Sequence, residues 1–208
     1  MLTPKFFQDN GYIVIPKMLN GDLLKFTGIY AYNRARIDGV RKKPDGTIDD
    51  DQVPNTPSFY DDFVMANLHD FLLPKMEQYT GLKLYPTYTY YRVYKKDDEL
   101  LKHKDRPSCE ISLSLCLRYS LDEKIWPIFI ENNEYRRIRE FGEGHTARAL
   151  LNMGDALIYR GCECEHWREP YKEGTKLAQV FLHYVDKNGP FKDYKDDKHP
   201  GKYFAQYK

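Results

Sequence analysis

The sequence lacks any run approaching the roughly 18 consecutive apolar residues that a membrane-spanning helix needs. Met1-Leu2-Thr3-Pro4-Lys5 leads directly into mixed sequence, with no apolar signal core. The expectation is a cytoplasmic protein with no membrane partner. Net charge is nearly absent too, since 32 Lys and Arg oppose 31 Asp and Glu for a balance of +1. A dedicated nucleic-acid binder carries a basic excess or stripe, so that class is set aside. Cysteine is scarce: Cys109, Cys116, Cys162 and Cys164 are the four, and in an unexported chain they read as reduced thiols, not a disulfide framework. With 13 Gly and 12 Pro the chain is neither collagen-like nor of low complexity, and it carries no internal repeat.

Tyrosine is what the chain has in plenty. Its 18 Tyr, with 11 Phe and 2 Trp, bring the aromatic share to 15%, which favours β structure and a pocket with amphipathic walls. A length of 208 residues suits one domain with appendages. Phe6 to Ile15 reads as a short helix and a short strand, broken at Asn10-Gly11. Leu23 to Ile37 has helical spacing through Leu24, Phe26, Tyr30, Ala31 and Ala35, with Asn20 and Asp22 as caps. Residues 38–57 are polar and read as a lid-like loop containing the acid run Asp49-Asp50-Asp51. Phe59 to Tyr79 predicts a second helix with Phe63, Met65, Leu68, Phe71, Leu72 and Met76 facing inward and Pro74 kinking or dividing it.

After Gly81 short β-rich runs follow one another: Leu84 to Tyr94, Cys109 to Tyr119, Ile125 to Ile130, Ala147 to Leu151, Ala156 to Tyr159, Cys162 to Trp167 and Leu177 to Val185. The pattern is mainly β with flanking helices, a helix-flanked sandwich or barrel. One domain is expected over 1–208, with helical support in 1–80, a β core in 82–186 and a tail in 187–208.

His103-Lys104-Asp105 is a His-x-Asp triplet after the first long strand. Two neutral imidazoles and a carboxylate on a β scaffold form the facial triad that suits non-haem Fe(II) and leaves coordination positions open. His166, in a predicted strand, is the best third ligand. His183 ranks second, because His69 falls in a helix, His145 in a Gly-flanked turn and His199 in the tail. Lys176 follows His166 by ten residues, where a cation would meet the far carboxylate of a bound dicarboxylic acid, and Tyr94 precedes His103 by nine.

Tyr94 to Asp105, reading Tyr-Lys-Lys-Asp-Asp-Glu-Leu-Leu-Lys-His-Lys-Asp, resembles a stretch of the 2-oxoglutarate- and Fe(II)-dependent dioxygenases, above all the prolyl 4-hydroxylase catalytic domains. Gly174 to Tyr184 resembles their last core strand, and Phe7 to Pro16 the opening of the phytanoyl-hydroxylase branch. The resemblance implies a double-stranded β-helix, the jelly-roll or cupin-like fold. It implies Fe(II) on His103, Asp105 and His166, with Lys176 and Tyr94 binding the co-substrate 2-oxoglutarate. It further implies O2 as oxidant, ascorbate as reductant, release of succinate and CO2, and hydroxylation of a C–H bond. A prolyl residue of a peptide or protein is the favoured substrate, and a small molecule is the alternative. A cupin-type metalloenzyme of other chemistry and a metal-binding module are the rival classes.

Around the triad, Arg168, Arg92, Tyr90 and Trp167 are the candidate substrate residues, with Tyr88 and Trp126 as further groove walls and Arg106 as a buttress of the metal loop. Cys162, Cys164 and His166 would share a strand face, which makes a zinc site a minor alternative.

Overall fold

The computed structural model describes residues 4–38, 52–120, 124–131 and 146–196. Most of the lid-like loop, His145, His199 and the end of the tail lie outside the described residues. Among the described residues no helix is long and apolar enough to cross a membrane.

Helix α1 (Pro4–Asn10) buries Phe7 and hands over at Gly11, whose φ of 74° lies where only glycine is at ease. Strand β1 (Tyr12–Ile15) alternates, burying Ile13 and Ile15. Helix α2 (Gly21–Asp38) follows, and then the three-residue strand β2 (Ser58–Tyr60). Helix α3 (Phe63–Thr80) begins where the Asp62 carboxylate accepts the Val64 and Met65 amides, and it ends at left-handed Gly81. That cap starts the helix four residues later than the apolar pattern suggested and frees 58–60 to pair as a strand. Pro74 does not divide α3, which is one continuous helix. Met65, Leu68, Leu72 and Met76 are buried as expected, whereas Phe63 and Phe71 are 74% and 58% exposed because they fall off that stripe.

Eight further strands make the core: β3 (Leu84–Lys95), β4 (Leu100–His103), β5 (Ile111–Tyr119), β6 (Ile128–Glu131), β7 (Thr146–Ala149), β8 (Ala156–Arg160), β9 (Glu165–Arg168) and β10 (Lys176–Asp186). They form a major sheet in the order β1-β8-β5-β10-β3-β2 and a minor sheet in the order β4-β9-β6-β7, antiparallel throughout. This is the jelly-roll sandwich expected. The helices cover the outer face of the major sheet, where Leu113, Leu115, Val180 and Leu182 pack with Met65, Leu72 and Met76. A second core lies between the sheets, with Tyr94, Ile128, Ile130, Leu157, Tyr159 and Leu177. Both faces of β5 and β10 are therefore buried, and parity along each strand decides whether a side chain meets the helices or the interior.

Candidate metal centre

His103 and His166 face each other directly across the β4–β9 pair, with ring centroids 4.3 Å apart. Asp105 lies two residues past the end of β4, in a loop fixed by its own amide, which donates to the Gly161 carbonyl at 2.8 Å. Its Oδ1 is 3.7 Å from His103 Nε2 and 3.6 Å from His166 Nε2. Each imidazole engages the carbonyl two residues before it through Nδ1, His103 with Leu101 at 2.7 Å and His166 with Cys164 at 3.1 Å. A proton on Nδ1 leaves Nε2 as an acceptor, met at His166 by the Tyr159 hydroxyl at 3.4 Å, so two imidazole donors and a carboxylate converge on one point. Burial lowers the His166 pKa, outweighing the opposite pull of Asp105, and keeps the ring in the form that binds metal. The donor set fits a divalent ion bound on one face.

The cavity above this point has a volume of about 520 Å³. Tyr60, Tyr88, Tyr90, Arg92 and Phe181 form a wall, and the triad forms part of the lining. Tyr60 and Tyr88 stack at 4.8 Å. His183, the second-ranked ligand, stands on the far side of Asp105: Ser112 Oγ lies 3.0 Å from Asp105 Oδ2 and 2.9 Å from His183 Nδ1. With the hydroxyl proton directed at the carboxylate, His183 Nδ1 donates to Ser112, and burial holds the His183 pKa down at about 4.

No protein-family model matches the sequence, and no curated protein matches it. Solved structures do match in three dimensions. The epimerase SnoN in complex with Fe3+, alpha ketoglutarate and nogalamycin RO superposes with a TM-score of 0.69 at 13% identity, covering 96% of this chain and 90% of that one. A Pseudomonas putida prolyl-4-hydroxylase gives 0.62 at 12% identity, covering 88% of this chain and 98% of its own. HygX from Streptomyces hygroscopicus, with nickel and 2-oxoglutarate bound, gives 0.64 at 14% identity, with coverage of 88% and 86%. The fold is that of the 2-oxoglutarate/Fe-dependent oxygenases. At these identities the likeness speaks for the fold, and chemistry must come from the residues.

Within this oxygenase fold, strand parity sorts the remaining candidates. Tyr94, Arg92, Tyr90 and Tyr88 share the inner face of β3 and line the cavity. Arg92 donates to Gln52 Oε1 at 3.1 Å and its guanidinium lies 5.2 Å from the Tyr90 ring. The Arg106 guanidinium sits 4.4 Å over the Tyr88 ring. Lys176 is not brought to the cavity. It pairs with Lys95 while its neighbour Leu177 pairs with Tyr94, so it shares the helix-side parity of Ala178 and Val180 and is exposed. Tyr32 of α2 donates to its carbonyl at 2.9 Å.

Trp167 is a similar correction, since it points to the opposite side of β9 from the candidate ligand His166, stacking on Phe129 at 5.5 Å beneath Lys102 at 4.7 Å. Trp126 stacks on Tyr171 at 4.6 Å and meets Tyr94 edge-on at 5.1 Å, a packing role in the inner core. Arg168 does share the His166 face; it is 1% exposed and donates to the Trp126 carbonyl at 2.6 Å. Cys162 lies in the turn before β9, with its thiol 3.4 Å from the Arg106 carbonyl, and Cys164 reaches toward the Gly11 carbonyl at 3.5 Å. They do not gather with His166, and the zinc reading lapses. Burial pushes the Cys116, Cys162 and Cys164 thiols up to about 12 and Cys109 well above its ordinary value.

Ser112, Tyr159 and Phe181 escaped the sequence reading. Phe181 and His183 alternate with Leu177 on one face of β10, a signal that was present. Ser112 and Ser114 are the polar residues of the run Ile111 to Leu117, where their shared inward parity is the clue.

Proposed function

We propose that the protein is an Fe(II)- and 2-oxoglutarate-dependent oxygenase that hydroxylates an unactivated C–H bond. The observation that carries this reading is the convergence of two Nε2 lone pairs and the Asp105 carboxylate on an open cavity. His103, Asp105 and His166 would hold the ion. Bound Fe(II) supplies activation of O2 coupled to decarboxylation of 2-oxoglutarate to succinate and CO2. The two backbone carbonyls on Nδ1 fix the ring orientations, and Ser112 fixes the carboxylate. Tyr94 offers a hydroxyl to the co-substrate from the inner face of β3, while Tyr60, Tyr88, Tyr90 and Phe181 exclude water from the reacting carbon.

For the substrate we keep a prolyl residue of a peptide. The motif resemblance and the Pseudomonas prolyl-4-hydroxylase of the same fold support it, and an aromatic wall suits an apolar ring. Arg92, which lines the same wall, would bind a carbonyl of that substrate.

Anaerobic titration of metal-free protein with Fe(II) and then 2-oxoglutarate tests the reading through the visible charge-transfer band of the chelated co-substrate. The band is expected in the wild type and absent in His103→Ala. Iron binding without a band leaves a cupin-type metalloenzyme, and no iron binding leaves a metal-free module.

A further inference from the structure

We propose that Arg168, and not Lys176, binds the far carboxylate of 2-oxoglutarate; this rests on the oxygenase reading above. Arg168 follows the ligand His166 by two positions, so its Cα lies about 7 Å farther along the same inward face of β9. A five-carbon dicarboxylic acid chelated at the triad would extend over a comparable span.

A guanidinium taken out of water is costly unless an anion meets it. Arg168 is 1% exposed, yet among the described residues it forms no ion pair. Its Nη1 is used by the Trp126 carbonyl, and its Nε has no hydrogen-bond partner. The rings nearby are those of Trp126 at 4.7 Å and Tyr94 at 6.0 Å from the guanidinium carbon. Tyr94 lines the cavity, and the guanidinium lies next to Tyr94, behind the lining at that end. Such a fork matches a carboxylate in two parallel hydrogen bonds. Lys176, on the opposite parity of its strand and exposed, has no route to this point. Trp126, stacked on Tyr171 at 4.6 Å, backs the guanidinium.

The test compares 2-oxoglutarate with 2-oxopentanoate, which has the same chain and chelating end but no far carboxylate. Both are titrated anaerobically into the Fe(II) protein, with the charge-transfer band as readout. Wild type is expected to favour 2-oxoglutarate on the order of 100-fold. Arg168→Met should bring that ratio down by at least about tenfold while 2-oxopentanoate still gives its band, and Arg168→Lys should recover part of it. Lys176→Met, at an exposed position, should leave the ratio unchanged. An unchanged ratio in Arg168→Met, or a collapsed ratio in Lys176→Met, overturns the assignment. The second of these does so even if the Arg168 variants fail to fold. Iron binding with no band from either acid in the wild type overturns the oxygenase reading instead.

Discussion

Ser112 shows how much of a candidate metal site rests on one hydroxyl. It is fully buried, and its oxygen joins Asp105 to His183 while also lying 3.1 Å from the Cys109 carbonyl. Replacing it with alanine leaves Asp105 Oδ2 without its donor and His183 Nδ1 without its acceptor, although the fold loses little volume. Ser112→Ala is expected to weaken Fe(II) binding by roughly 10- to 100-fold with the thermal midpoint nearly preserved, as read by competition with a chelating dye. An unchanged affinity would mean that backbone geometry alone holds Asp105. At this scale the triad was legible, because His-x-Asp and a later strand histidine name donors by type and spacing. The orienting hydroxyl was not, since a serine in a strand announces no partner by itself.

The turn joining β8 to β9 is the element on which the site depends. Gly161 donates to the Glu110 carbonyl at 3.0 Å and accepts the Asp105 amide at 2.8 Å, so it ties the metal loop to the entrance of β5. A Cβ at Gly161 would run into the Cys109 carbonyl oxygen and the Asp105 side chain. Gly161→Ala should cost roughly 1–3 kcal/mol in urea unfolding and reduce metal affinity at the same time. Loss of one without the other would separate the turn from the site.

The longer strands were readable because alternation persists over many residues in β3, β5 and β10. Strands β2 and β4, of three and four residues, are too short to show a period. Lys176 was misplaced for a related reason. Spacing from His166 along the chain counts residues, whereas access to the cavity depends on parity across the sheet, and the register Lys176↔Lys95 settles that parity only once the strands are paired. Trp167 failed in the same way, lying between two inward residues of β9.

For the molecule as a whole, two histidines outside the triad tie stability to pH. His69 on α3 is buried and donates through Nε2 to the His183 carbonyl at 2.8 Å, and burial lowers its pKa to about 3. His183 sits at about 4, also through burial. In the unfolded chain both would titrate near 6.5. Below that value the unfolded state takes up protons that the folded state refuses, so stability falls from about pH 6.5, through about pH 4 for the His183 share and about pH 3 for the His69 share, and is regained on return to neutrality. Thermal unfolding of the metal-free protein should show a falling midpoint over that window. His69→Gln, which keeps an N–H donor for the His183 carbonyl, should flatten the dependence; an equal slope would place the proton uptake elsewhere.

The raised thiol pKa values would help the protein survive the oxidising reaction proposed for it. Sulfur is attacked by peroxide and by electrophiles chiefly as the thiolate, and burial keeps that form scarce at all four cysteines near neutral pH. Cys109, whose sulfur groups with Asp105 and His183, is the one most in need of that protection. The same packing that shapes the cavity thus gives Cys109, Cys116 and Cys164 a chemical armour, and the half-buried Cys162 in its turn is where stray oxidant would strike first.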